Sequence, residues 1–203
     1  MKPYPALATL EFSELPTGMH ATDALVKKAP IAVLKCGAIS RGRYMTLIGG
    51  TTASVEEAYG EGLYHGRNAL LDHVFLPDVH SAVHDAVLGK RLPCGEGAVA
   101  ILESPTSSSI IRAAELALKG TGVNLIEIRL ADSLLHGKGI TIFNGELHDI
   151  EAAVDIATLF LDSKQIELTH KIITRPNEFL AAHISLGTNF HAAPFMETDG
   201  EGY

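Results

Sequence analysis

The chain has 203 residues, of which 46% are hydrophobic and 20% charged, and its formal net charge at pH 7 is -8. This composition predicts a globular protein, and the acidic balance without clusters of Lys and Arg argues against a nucleic-acid partner. No apolar run approaches the roughly 20 residues that cross a bilayer, and the first residues lack the apolar stretch of a signal peptide. We therefore expect a cytoplasmic protein that does not enter a membrane.

The chain begins with the pattern of a strand, a helix and two further strands. A strand is predicted at residues 6 to 12, and Ala21, Ala24 and Leu25 recur at helical spacing after it. Two apolar stretches then predict strands on either side of residues 37 to 43, which are small and polar. A seven-residue link is longer than a plain hairpin needs, and extra loop length often serves function.

A second helix, a further strand and a short helix follow. Thr51, Thr52 and Ser54 are candidate N-caps of the second helix, because their side-chain oxygens can accept hydrogen bonds from the first free backbone N–H groups. A strand is predicted at about residues 70 to 76, before the short helix. The order of elements is therefore βαββαβ with a terminal helix.

The same order recurs in the second half of the chain. Residues 6 to 11, ALATLE, align with residues 98 to 103, AVAILE, and HVFLPDVHSAV further along aligns with HKIITRPNEFL. Such internal similarity indicates duplicated units. We predict two homologous domains, residues 5 to 92 and 96 to 184, and a tail from 185 to 203. Each domain is predicted to be an α/β sandwich of the split-βαβ, ferredoxin-like kind, with helices covering one face of a sheet.

Residues able to carry catalysis or bind a metal do not form a known pattern. The chain has no glycine-rich phosphate loop and none of the common hydrolase motifs, so we predict neither an enzyme nor a bound cofactor. His80 and His84 could share a helix face, but the second copy has Asn177 and Ala181 at these positions. No carboxylate is an obvious third ligand, so we predict no metal site.

Several segments, in their order and repetition, resemble one known family. They are ALATLEF, GMHATDALVKKAP and SRGRYMTLIGGTTASVEEA in the first unit, and RAAELALK, HGKGITIFNGELHDIEAAVD and IITRPNEF in the second. Over nearly the whole chain, residues 6 to about 182, the sequence is similar to the bacterial microcompartment shell proteins of the tandem-domain class.

The resemblance implies a structural role. Three chains would associate into a flat pseudohexamer in which six domains surround a central pore. Such discs would tile the facets of a protein shell together with other shell proteins, both hexamers and pentamers. Small metabolites would pass through the pore, and its diameter, hydrogen-bonding groups and ring charge would set which ones. A duplicated chain can give its two copies different residues at that pore.

The resemblance also implies which residues line the pore, because in this family the loop between the two middle strands does so. The implied residues are Ile39, Ser40, Arg41 and Gly42 in the first unit, and Asp132, Ser133, Leu134, Leu135, His136 and Gly137 in the second. Each would appear three times in the ring. Arg41 would then favour anions, Asp132 would offset it, and His136 would make the balance depend on pH.

Four further residues are implied at the edge of the disc. Lys27 and Lys119 match a lysine that packs against its counterpart in the next disc, and Arg175 matches an arginine near the same edge. The counterpart of Arg175 in the first unit is Asp78. We therefore expect either that the two kinds of edge pack differently or that Asp78 meets a basic group across the seam.

Two other functions stay open from the sequence. Some tandem members carry a cysteine in the first pore loop and hold an iron–sulfur cluster on the threefold axis. Here Ser40 occupies that position and Cys36 precedes it, which argues against thiolate ligation. A trimeric ferredoxin-like regulatory protein, binding a small molecule between subunits, would need a basic, glycine-rich phosphate site. The one candidate for such a site is Arg41-Gly42-Arg43.

Overall fold

A computed structural model of the chain describes residues 4–131, 136–189 and 192–194. Within these ranges, two units with the same order of elements follow one another. The first unit contains β1 (Ala6–Phe12), α1 (Leu15–Lys28), β2 (Ala32–Ile39), β3 (Arg43–Gly50), α2 (Thr52–Gly66), β4 (Leu70–Leu76) and α3 (Ser81–Val87). The second unit contains β5 (Ala98–Ser104), α4 (Ser107–Gly120), β6 (Asn124–Leu130), β7 (Gly139–Gly145), α5 (Leu147–Ser163), β8 (Thr169–Ile173) and α6 (Glu178–Leu186). No helix in the described ranges combines the length and apolar character needed to cross a membrane.

Each unit forms a four-stranded antiparallel sheet with the same strand order. The order is β2-β3-β1-β4 in the first sheet and β6-β7-β5-β8 in the second. The central strands also pair in equivalent registers, since Ala6 lies opposite Gly50 and Ala98 opposite Gly145. The predicted fold class, two tandem copies of an α/β split-βαβ sandwich, is therefore confirmed.

The link between β2 and β3 is shorter than the sequence predicts. β2 continues to Ile39 and β3 begins at Arg43, so residues 40 to 42 alone form the turn. The seven-residue prediction was wrong because residues 36 to 38, although small, pair with residues 44 to 46 in the antiparallel ladder. β2 is an edge strand, and backbone pairing at an edge does not require large apolar side chains.

Side chains cap two of the helices in the first unit. Thr51 Oγ1 accepts a hydrogen bond from the backbone N–H of Ser54 at 3.3 Å, which confirms Thr51 as the N-cap of α2. His80 Nδ1 accepts one from the backbone N–H of Ala82 at 3.2 Å and so caps α3, whereas His84 is buried. Across the described ranges, no group of His, Cys, Asp and Glu side chains is arranged to hold a metal ion.

Alternate residues of β1 face two different partners, as the period of a strand requires. Leu10 and Phe12 pack against α1 and α2 of their own unit. Thr9 and Glu11 face the second unit, where Thr9 Oγ1 lies 2.7 Å from Ser108 Oγ at the start of α4. Helix α4 therefore packs between its own sheet and the first sheet, and it contacts both β1 and β4. We call this contact between α4 and the β1–β4 pair the inter-unit seam.

The segment between the two units is bound to the second sheet. The side-chain amide of Asn144 accepts a hydrogen bond from the backbone N–H of Gly95 and donates to the carbonyl oxygens of Gly95 and Glu96. Arg91, earlier in the segment, forms a largely buried ion pair with Glu127 on β6. These contacts fix the path of the chain from the first unit into the second.

Candidate pore loops and the inter-unit seam

The first candidate pore loop is the tight turn between β2 and β3. Within this three-residue turn, Arg41 and Gly42 both have positive φ angles, 68° and 69°. Glycine adopts this conformation readily, but for a residue with a side chain it costs about 1–2 kcal/mol. Arg41 is exposed and Ser40 partly exposed. The turn therefore carries an exposed guanidinium at a position that glycine or asparagine would occupy more easily.

The second candidate pore loop lies between β6 and β7. The backbone N–H of Ala131 donates to the carbonyl oxygen of Lys138 at 3.1 Å and closes the loop at its base. His136 is exposed with a φ of 52°, and Gly137 is buried with a φ of 84°. The remaining predicted pore residues lie outside the described residues: Asp132, Ser133, Leu134 and Leu135.

The two candidate loops lie next to one another within one chain. A Cβ atom at Gly137 would be 3.4 Å from Arg43 Nη1 and 3.7 Å from the carbonyl oxygen of Ser40. Arg41 and His136 are each adjacent in sequence to one of these contacting residues. The described parts of both predicted pore loops are thus brought together in space.

Two predicted edge residues, one from each unit, meet at the inter-unit seam. Lys119 donates to the carbonyl oxygen of Asp78 at 2.6 Å and forms an ion pair with Glu115 at 2.6 Å. The Glu115 carboxylate is buried and accepts a hydrogen bond from the backbone N–H of His80 at 3.0 Å. A basic side chain therefore meets the main chain of Asp78 inside a single chain. The contact of Lys119 with another disc stays a prediction.

The same acid–lysine pair recurs on α1, where it is exposed. Lys27 forms an ion pair with Asp23 at 2.5 Å, and both side chains are more than half exposed. These two residues occupy the positions on α1 that the seam pair occupies on α4. Arg175, which corresponds to Asp78, is also exposed. One copy of the arrangement is therefore complete within the chain, and both halves of the other copy face solvent.

Both units match the same family model, which is described as the BMC domain, at residues 6–79 and 98–176. The chain belongs to the BMC domain family. It is 29% identical over 173 residues to the bacterial microcompartment shell protein PduT of Citrobacter freundii, a match that covers 85% of this chain and 94% of that protein. A crystal structure of a microcompartments protein from Desulfitobacterium hafniense DCB matches with a TM-score of 0.75 and 26% identity, over 86% of this chain and 97% of that one.

Two BMC domains in one chain make this protein a tandem-domain shell protein of a bacterial microcompartment, as the sequence predicted. Its role is structural and not enzymatic, and its place is the microcompartment shell in the cytoplasm. The matched ranges run from the first strand of each BMC domain to just past its last strand, so α3 and α6 lie beyond them.

The two cysteines of the chain lie outside the described parts of the candidate pore loops. Cys36 is on β2, and Cys94 is in the segment between the BMC domains. Ser40 stands in the turn, where a cluster on the axis would need a thiolate. The described loop residues thus offer hydroxyl, guanidinium and imidazole groups, which suit hydrogen bonding to polar solutes.

Three ionisable residues that the sequence did not single out meet at the inter-unit seam, and two of them are buried. Glu11 on β1 and Asp72 on β4 are 0% and 4% exposed. Lys164, at the end of α5, forms an ion pair with Asp72 at 2.7 Å, and the backbone N–H of Ser108 donates to Glu11 at 2.5 Å. The available signal was one acidic residue within each of two largely apolar strands, β1 and β4. Such a residue marks a buried polar contact when the strand is covered on both faces.

The seam shifts the pKa values of these two carboxyl groups in opposite directions. Burial raises the pKa of Glu11 to about 7, and its Oε2 atom has no hydrogen-bond partner among the described residues. Burial alone would also raise the pKa of Asp72. Hydrogen bonds from Lys164, Ser109 and Thr106 outweigh burial there and hold the pKa below its ordinary value. At neutral pH Asp72 is therefore ionised, whereas Glu11 is partly protonated.

Replacing Glu11 by glutamine is expected to remove a pH-dependent loss of stability. Because the folded pKa of about 7 lies above the ordinary value of 4.5, the stability from protonated Glu11 is fully present below pH 4.5 and is lost as the pH rises through 7. Glu11→Gln should therefore be more stable than the natural chain at pH 8, by up to about 3 kcal/mol. The difference should be much smaller at pH 5. Denaturant unfolding at the two pH values measures it.

Glu103→Gln is the matched control for this prediction. Glu103 occupies the corresponding position on β5, but it is partly exposed and pairs with Lys138 at 2.5 Å. Its replacement should give no stabilisation at pH 8. Equal stabilisation by both variants, or none by Glu11→Gln, would show that the seam does not hold a buried carboxyl group with a raised pKa.

Proposed function

We propose that three copies of the chain close head to tail into a flat pseudohexamer, that these rings tile a shell facet with other shell proteins, and that small polar metabolites pass through a central pore. The inter-unit seam carries this proposal. Each chain completes one such seam internally and exposes the two halves of another. A surface on one side of a molecule that complements a different surface on the other side favours head-to-tail association, which forms a ring when its rotation closes.

The first exposed half is the outer face of α1. Met19 and Val26 on this helix are 57% and 47% exposed. Their counterparts on α4, Ile111 and Leu118, are 1% and 9% exposed. These two lie on the α4 face that also carries Glu115, which binds the first unit across the seam. Helix α1 therefore presents to solvent the side chains that a seam would bury, and burial is what drives such contacts.

The second half is the part of the outer face of the second sheet that α6 leaves uncovered, since Ile184 of α6 already packs there against Val99 and Ile142. Thr9 and Met45, on the first sheet, are buried in the chain. Their counterparts on the second sheet, Ile101 and Ile140, are only partly buried, although isoleucine is among the residues most often buried. An α1 helix from another chain, placed there as α4 is placed on the first sheet, would cover both isoleucines.

Polar groups support the same arrangement. Within the chain, the acid–lysine pair of α4 binds a backbone N–H and a backbone carbonyl of the first unit. The exposed pair on α1, Asp23 and Lys27, has the same spacing. In a ring, we infer that Asp23 accepts from the backbone N–H of Asn177 in the next chain. Lys27 would donate to the carbonyl oxygen of Arg175 there, at the edge of the disc.

The position of the loops supports a pore at the centre of the ring. Because Ser40 and Gly137 adjoin within one chain, a ring of three chains would gather all the pore loops around its axis. Arg41 would then appear three times, and a ring of guanidinium groups concentrates anions. His136 would add positive charge as the pH falls, and Asp132 would offset both. We infer a pore that passes small anions more readily than cations of similar size.

Native mass spectrometry tests the ring itself. The proposal requires a species of three times the 21.6 kDa chain mass at micromolar concentration. A monomer or a dimer under the same conditions would contradict it.

Replacing Arg41 by asparagine is expected to lower the anion preference of the pore without weakening the fold. Asparagine tolerates a positive φ angle better than most residues with a side chain, so the turn should persist while the ring loses its guanidinium groups. Single-channel recordings of purified rings, with unequal salt on the two sides, should show the reversal potential move toward that of cations. Arg41→Lys keeps the charge and is the matched control. An unchanged reversal potential in Arg41→Asn would mean that Arg41 does not line the pore.

A further inference from the structure

A cavity of about 520 Å³ lies between the two BMC domains, beside the first candidate pore loop. Residues of β2 and β3 form its wall, and the end of β6 lies opposite. Its lining includes Lys35, Gly37, Ile39, Met45, Leu47 and Leu130. The volume is in the range of small-molecule sites, which are mostly apolar and have a few polar groups that orient the ligand.

The cavity extends over a glycine in the second half of β2. In the antiparallel ladder Gly37 lies opposite Met45, and Lys35 lies opposite Leu47. Residues that lie opposite one another point to the same face of a sheet, and this face borders the cavity. A Cβ atom at Gly37 would have no heavy atom within 4 Å. The missing side chain therefore leaves open space between the lysine and the pore turn.

The second BMC domain fills the corresponding place with its own side chains. Arg129 stands where the first domain has Gly37, and its guanidinium donates to a threonine of the C-terminal segment at 2.7 Å. Glu127 stands where the first domain has Lys35, and it pairs with Arg91. The two domains therefore differ at this place in both volume and charge. In the second domain the space is filled and contains Glu127, whereas in the first it is open and contains Lys35.

Charge identifies the kind of molecule that fits the open copy. Lys35 is the one charged residue among the described residues that line the cavity. Its side chain is exposed, and its ammonium group makes no ion pair within the described ranges. Residues 35 to 43 contain two arginines and no acidic residue, so the mouth beside the turn is also basic. Met45 and Leu47, by contrast, form a buried apolar wall.

We propose that this cavity binds an aliphatic monocarboxylate, whose carboxylate pairs with Lys35 and whose chain packs on Ile39, Met45 and Leu47. Binding at this site does not depend on ring formation. One consequence of carboxylate binding does rest on the proposed function. Because the cavity extends to Ser40, a bound carboxylate would lie beside the pore and partly offset the charge of Arg41.

Isothermal titration calorimetry with octanoate and the full chain tests the site. One octanoate per chain is expected to bind. Acetate, which lacks the apolar chain, and 1-octanol, which lacks the charge, should each bind at least about 10-fold more weakly. Lys35→Met should weaken octanoate binding by about 10- to 100-fold and leave 1-octanol unchanged, because it removes a charge-assisted hydrogen bond. Lys28→Met, on α1 behind the other face of the sheet, is the control and should change neither.

Gly37→Phe provides a second, independent variant. A Cβ atom at Gly37 would meet no heavy atom within 4 Å and the adjoining cavity has about 520 Å³, so we expect the melting temperature to be preserved while octanoate binding is lost. Three results would each overturn the proposal. Octanoate could bind Gly37→Phe as tightly as the natural chain, Lys28→Met could weaken octanoate binding as much as Lys35→Met does, or the natural chain could fail to bind octanoate. These outcomes leave the mass of the ring and its reversal potential unaffected, so this proposal and the proposed function can fail separately.

Discussion

A chain in which Met19 and Val26 are both replaced by aspartate is expected to stay folded and to lose the trimer. Both side chains are about half exposed in the single chain, so a charge at these positions costs the monomer little. In the ring they would be buried as Ile111 and Leu118 are, and each lost apolar contact costs roughly 1.5–3 kcal/mol. The dissociation constant should therefore rise at least about 100-fold. Sedimentation velocity at micromolar concentration measures this shift, and circular dichroism shows whether the fold is kept.

Two control variants separate a lost interface from a lost fold. Tyr64→Asp changes another exposed apolar residue, on α2 and outside both halves of the seam, and should leave the trimer intact. Ile111→Asp places the same charge in the seam inside the chain and should destabilise the monomer. If the chain with both Met19 and Val26 replaced stays trimeric, α1 is not the interface and the head-to-tail arrangement is wrong.

Replacing Lys164 by methionine is expected to destabilise the inter-unit seam. The substitution leaves the Asp72 carboxylate, which is 4% exposed, without its ion-pair partner. Removing one member of a fully buried pair costs about 3–5 kcal/mol, and the Lys164 side chain is 31% exposed. Because the hydroxyl groups of Ser109 and Thr106 still donate to Asp72, we expect the lower part of this range. Urea unfolding at pH 7 and at fixed protein concentration measures the change.

The cost of Lys164→Met should also depend on pH. In the natural chain the pKa of Asp72 is lowered, so its contribution to stability is present above its ordinary pKa and is lost as the pH falls through the folded value. Without Lys164, burial would raise that pKa, and the variant should regain stability as the pH falls. The difference between the two chains should therefore be smaller at pH 4 than at pH 7.

Lys138→Met is the control. It breaks a more exposed pair with Glu103 and should cost less than about 1 kcal/mol. An equal loss of stability in the two lysine variants would show that the burial of Asp72 does not strengthen its pair with Lys164.

The fold could be predicted from the sequence because the chain contains the same pattern twice. A strand at residues 6 to 12 is a weak prediction alone, but residues 98 to 103 repeat it at the start of an equivalent series of elements. The positions of Ser40 and Gly137 within loops followed from the same repeat and from the family resemblance, and the structure brings them together. Whether they line a pore depends on other copies of the chain, which one sequence does not contain.

The turn was harder to predict because β2 is an edge strand. Its residues near Gly37 have small or polar side chains, so the apolar signal that marks a strand is missing although the backbone ladder continues. The same glycine opens the cavity beside the turn. The pattern of apolar residues therefore predicted the wrong loop length near Gly37, where β2 leaves open space.

The buried carboxyl groups could not be predicted because the repeat conceals a difference in surroundings. Glu11 and Glu103 are identical residues at corresponding positions, yet Glu11 is fully buried and Glu103 is paired at the surface. A sequence repeat predicts equal environments. The environments differ because α4 covers the first sheet, while among the described residues no helix covers the second sheet in that way. The contacts of Asp72 arise from the same packing.

Electron cryomicroscopy of the purified protein, at a resolution that resolves side chains, tests the central claim most directly. We predict a closed ring of three chains in which α1 lies on the second sheet of the next chain. Asp23 and Lys27 should contact the backbone of Asn177 and Arg175 there, with Arg41 at the central pore. A twofold dimer, an open filament or a ring with α1 facing solvent would contradict the head-to-tail seam.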